Sequence, residues 1–134
     1  MKRTLVAYAT TLLVFLVLDG LWLGVMMGPT YGALLGPLMR EQPLWGPAVA
    51  FYLLYVLGIV VLAVRPALVH RSARQAAGLG ALLGLVAYGT YDLSNWATLH
   101  AWPARLALLD MAWGTVLTCV AASTGYAVAR KVPA

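Results

Sequence analysis

TLVAYATTLLVFLVLDGLWLGVMM, residues 4–27, is twenty-four residues long and holds one charged side chain, Asp19. A hydrocarbon core is crossed by about 20 helical residues. In lipid only helices and closed barrels satisfy their own backbone groups, and this run is continuously apolar rather than alternating, so it reads as a membrane-spanning helix. Lys2-Arg3 ahead of it would also suit a signal peptide, but Asp19 and Trp22 interrupt the run and no small-x-small cleavage site follows. A retained first helix is expected.

Three further stretches have the same character: about 45–64, stopping at Arg65-Pro66; about 75–99; and about 103–129, where Pro103 suits a first helical turn. The chain of 134 residues is 63% hydrophobic and 10% charged, against about 25% charged in ordinary soluble domains. So short a chain cannot hide that much apolar surface in one water-facing core. No polar linker divides it. The expected fold is an all-α integral membrane protein, residues 1–134 forming one four-helix transmembrane domain.

The net charge of +5 does not point to nucleic acid, because the basic residues lie in short clusters beside apolar spans. Lys2, Arg3, Arg65, Arg71, Arg74, Arg130 and Lys131 fall on the side shared by the termini and the second loop; only Arg40 and Arg105 fall on the other. The positive-inside rule then places both termini in the cytoplasm, N-in/C-in, with the bacterial inner (cytoplasmic) membrane as the expected location of this multi-pass chain. The first outer loop, GPTYGALLGPLMREQPL (28–44), is too apolar for a free loop and too broken by Pro29, Pro37 and Pro43 for another span. It is expected to lie in the outer interface or to fold back as a re-entrant lid, with Trp45 and Trp102 in the aromatic belt. Small residues four apart, Gly20-Gly24-Gly28 and Ala76-Gly80-Gly84, suggest close helix packing. Cys119 sits in an apolar run and reads as a packing residue. His70 and His100 lie in loops on opposite sides, and no spacing reads as a metal site.

The acids are the informative residues. Glu41 lies in a loop, but Asp19, Asp92 and Asp110 fall inside the first, third and fourth spans. A central Asp costs about 2.5–3.5 kcal/mol, against a gain of about 0.3–0.6 for each Leu, Ile, Val or Phe. The fourth span holds seven such residues, so Asp110 must face protein or water rather than acyl chains. Counted from the outer helix ends at about 1.5 Å per residue, all three carboxylates lie about 9–12 Å below the outer boundary. Tyr88, Asp92, Asn95, Trp96 and Leu99 share a helix face by their spacing; Trp22 accompanies Asp19, and Trp113 and Gly114 accompany Asp110. No Lys or Arg is buried at that depth. Three such acids cannot all be ionised, so at least one carries a proton, or the group holds a cation, a cationic ligand or water.

The runs LDGLWLG (18–24), FYLLYVLGIV (51–60), YGTYDLSNWATL (88–99) and LLDMAWGT (108–115) together resemble the domain of unknown function 2177 family, predicted bacterial inner-membrane proteins. The resemblance spans nearly the whole chain and marks Asp19, Asp92, Asn95 and Asp110. It implies no activity; through members encoded near lipid-modifying enzymes it implies a lipid context. The chain is also similar to small multidrug transporters in size, helix count and a first-helix acid, but departs from them in having three acids, Asp where they have Glu, and a longer first loop.

These residues favour binding or transport of a proton, cation or small amphiphilic ligand at an outer carboxylate cluster. Asp19, Asp92 and Asp110 would bind, Asn95 would orient a ligand, Tyr88 belongs to the same site, and Trp22, Trp96 and Trp113 would wall it by stacking or cation–π contact. A transporter this small would need a homodimer. The alternatives are an intramembrane enzyme or accessory protein of lipid modification, for which no catalytic set is visible, and a structural assembly partner. No cofactor is implied, and the expected partners are the lipid bilayer and a small cationic or lipid-like ligand.

Overall fold

The computed structural model describes residues 1–134, the side chains of 25–28 excepted. Helix α1 spans Lys2–Leu21 and passes through a wide π-type turn, Trp22–Met27, into α2, Gly28–Leu35. After a single 3₁₀ turn the chain is irregular to Leu44, where α3, Trp45–Ile59, begins. A second π-type turn, Val60–Val64, joins α3 to α4, Arg65–His70. Helices α5, Ala73–Thr98, and α6, Ala104–Ala129, complete the bundle. Four stretches are long and apolar enough to cross a membrane: Lys2–Gly24, Trp45–His70, Ala73–Thr98 and Ala104–Ala129.

The second span does not stop at Arg65-Pro66, as its sequence suggests; it runs on to His70. Proline lacks the N–H that a helix interior needs, and its ring clashes with the carbonyl four residues back. The widened turn at Val60–Val64 changes the hydrogen-bond register just before Pro66, which then sits in the first turn of α4 and interrupts no ladder. The helix ends at Arg71, whose left-handed backbone (φ 52°, ψ 44°) turns the chain. The Ser72 hydroxyl then accepts the Gln75 N–H at 3.0 Å to start α5.

Helices α5 and α6 pack closest. A β-carbon at Gly80 would come within 2.8 Å of Ala122 Cβ and 2.9 Å of the Thr118 carbonyl oxygen, and one at Gly84 would run into the backbone of Gly114. The Ala76-Gly80-Gly84 stripe is therefore a real contact surface, with all three residues buried. The first-helix stripe is not: Gly20 and Gly24 face open space, and Gly28 lies outside the described side chains. Phe15, Val56, Ile59, Val60 and Leu117 are fully buried between the helices. Leu13, Leu54, Leu82 and Val116 stay more than half exposed on the outside, where lipid is the solvent.

Candidate functional site

The wide turn at Trp22–Met27 re-aims the chain so that α2 lies over the N-terminal end of α6. There Tyr31, Leu34 and Leu35 pack on Trp102, Leu106 and Ala107. The first loop is thus a folded lid. Trp102 is a correction to the aromatic-belt expectation: only 8% exposed, it lies beneath the lid with its ring edge-on to Tyr91. Trp45, at 67% exposed, has the accessibility of a belt residue.

Under the lid, acids from separate helices come together. Asp19 on α1 is buried; it accepts a 2.6 Å hydrogen bond from the Tyr52 hydroxyl of α3 and a 3.3 Å bond from the Trp113 indole of α6. One turn above Asp19, the Trp22 ring stacks on Trp113 at 4.4 Å between centroids and 4° between planes. The Trp22 N–H donates to the Tyr31 hydroxyl at 2.9 Å, and that hydroxyl donates to Asp110 at 3.2 Å. One continuous chain of contacts, Tyr52–Asp19–Trp113–Trp22–Tyr31–Asp110, thus ties α1, α2, α3 and α6. Burial, reinforced by Asp110, pushes the Tyr31 phenol up from its ordinary range, so it remains a donor at neutral pH.

Asp19 and Asp110 line one cavity of about 400 Å³, walled by Trp22, Phe51, Tyr52, Tyr88 and Tyr91 among others. A second cavity, about 260 Å³, shares Leu23, Tyr31, Tyr91 and Asp110 with the first and adds Asp92 and Trp102. Asp92 is fully buried, and neither of its carboxylate oxygens has a hydrogen-bond partner among the described residues. Asp110 lines the same cavity. Two carboxylates lining one small cavity repel when both are ionised, and a cation between them would relieve that repulsion.

Tyr88 lines the larger cavity with its ring against Gly114, where any β-carbon would overlap it. Asn95 is half-buried with no side-chain hydrogen bond among the described residues, and Trp96 is 43% exposed; neither lines the cavities. The structure brings together Asp19, Trp22, Tyr88, Asp92, Asp110 and Trp113, and leaves Asn95 and Trp96 at the margin.

Tyr31 and Tyr52 belong to the network although the sequence gives them no such role. Tyr52 had a usable signal: seven residues into a span that starts at Trp45, it lies about 10 Å deep, in the layer of the acids. Tyr31 had none, because its place depends on how the proline-broken loop folds.

The family described as "Predicted membrane protein (DUF2177)" matches residues 4–127, and the chain belongs to it. No curated protein and no solved structure matches the chain.

Proposed function

We propose that this DUF2177 protein binds a small cationic amphiphile in the aromatic cavity that Asp19 and Asp110 share. The observation that carries the reading is the make-up of that wall: two carboxylates from different helices among aromatic rings, with no Lys or Arg. Its volume of about 400 Å³ lies in the range of small-molecule pockets. Ring faces and carboxylates both attract a cation, most strongly out of water. The amphiphilic character follows from Phe51, which borders this cavity and also an almost wholly apolar groove running down α3 past Leu54, Leu57 and Val61 to Leu83 of α5. A headgroup in the cavity leaves its alkyl tail in that groove, within the bilayer.

Binding fits a single chain better than passage through it. Below the site the fully buried Phe15, Ile59, Val60 and Leu117 close the bundle, so transport would require a second copy. Titrating the purified protein with a long-chain alkyltrimethylammonium, while following tryptophan fluorescence from the Trp22–Trp113 stack, tests the reading. Saturable quenching is expected, and an alkyl sulfate of equal chain length should give none. Equal responses to both would reduce the site to a greasy surface.

The orientation belongs to the same proposal. Seven of the nine Lys and Arg residues cluster at the end bearing the termini, which supports cytoplasmic termini in a bacterial inner membrane and a carboxylate site in the outer leaflet. Alkaline phosphatase fused after Ala134 should be inactive, and fused within 39–44 it should be active. The opposite pattern would move the site to the inner leaflet.

A further inference from the structure

At the other end of the bundle, Arg3 of α1, Arg71 between α4 and α5, and Arg130 and Lys131 after α6 surround a cavity of about 470 Å³ whose apolar lining includes Leu68 and Tyr126. An adjoining cavity of about 170 Å³ shares Arg3 and Leu68 and adds Arg65. No Asp or Glu lines either one, and all four acids of the chain lie towards the opposite end.

Orientation by the positive-inside rule needs basic residues in the loops, but it does not need them to converge. Lys2 and Arg74 serve that rule and line neither cavity. The convergence of the others is built. Arg3 donates from Nε to the Val132 carbonyl at 3.1 Å and from Nη2 to the Arg130 carbonyl at 3.4 Å, which fixes the backbone beside Arg130 and Lys131. Arg71 holds the left-handed conformation that ends α4, a position glycine fills without steric cost. Four like charges brought around one cavity repel unless an anion lies among them, and planar guanidinium groups match phosphate oxygens in pairs.

We infer that this pocket holds the phosphate group of an anionic phospholipid, the headgroup among Arg71, Arg130 and Lys131 and the start of its acyl chains against Leu68. The pocket is formed where candidate spans end, and basic pockets between transmembrane helices take such headgroups. It is separate from the carboxylate site and does not depend on what binds there.

The test places purified protein in phosphatidylcholine nanodiscs and measures the rise in melting temperature on adding phosphatidylglycerol, more phosphatidylcholine, or inorganic phosphate. Phosphatidylglycerol alone should stabilise the wild-type protein. Arg71→Gln with Lys131→Gln should weaken that response about tenfold, the loss of a charge-assisted contact. Lys2→Gln with Arg74→Gln, which removes the same charge outside the cavities, should retain it. Arg3 stays unchanged because it ties the last residues of the chain in place. A matching response to inorganic phosphate would make the occupant the free anion and overturn the lipid assignment. Equal loss in the two double variants, or no response to any probe, would overturn the site.

Discussion

Asp92→Leu is expected to make the purified bundle more stable, by about 1–3 kcal/mol, the penalty of a buried polar group left without a partner. Asp92 is fully buried on α5, and among the described residues neither of its oxygens meets a donor. Leucine would replace that group with an apolar side chain, and the neighbouring cavity of about 260 Å³ gives its extra volume somewhere to go. It would also remove the acid that lines the smaller cavity with Asp110, leaving that carboxylate with its bond from Tyr31. Asp92→Asn should also gain some stability, since it removes a charge and its amide N–H can donate to the Asp110 carboxylate lining the same cavity. Thermal unfolding of the three proteins in one detergent decides the matter. If Asp92 serves to fasten helices, leucine must lower the melting temperature. A rise would mean that the acid is kept at a cost to stability, the pattern expected of functional intramembrane carboxylates.

Asp92 also shows how far the sequence could be read. Length and hydropathy were enough for the four spans, because a helix is the simplest way to satisfy twenty-odd backbone amides in lipid. Counting inward from the helix ends set Asp19, Asp92 and Asp110 at one depth, since helical rise is nearly constant. The illegible parts are those in which the backbone leaves the ideal helix. The wide turn at Val60–Val64 carries the second span through Pro66, and the turn at Trp22–Met27 folds α2 across α6. Without the second of these, nothing in 28–44 says that Tyr31 reaches Asp110 or that Trp102 lies under a lid. Spacing also overreached where no partner helix was specified. Gly20-Gly24 has the same period as Ala76-Gly80-Gly84, yet only the third-helix stripe meets a facing helix. The face that groups Trp96 with Asp92 is wide enough to carry one of them inward and leave the other 43% exposed.

Asp19→Asn combined with Asp110→Asn is expected to weaken binding of an alkyltrimethylammonium about a hundredfold or more, each removed charge being worth about 1.4 kcal/mol or more, a factor of ten. The fold should persist. An asparagine at 19 keeps one carbonyl oxygen to accept from Tyr52 or Trp113, and one at 110 keeps an acceptor for Tyr31. The Trp22–Trp113 stack is a ring-to-ring contact that an asparagine at 19 leaves in place, although the Trp113 N–H also donates to Asp19. Each single variant should lose about tenfold if the two acids act independently; a single change that costs as much as the pair would mean that both carboxylates grip one cation. The tryptophan fluorescence titration that tests the wild-type protein reads all of these values, and the melting temperature of each variant reports whether its bundle is intact. Full affinity in an intact double variant would show that the rings and the groove hold the amphiphile by themselves. The acids would then be left to the Tyr52 and Tyr31 hydrogen bonds, which is a structural role.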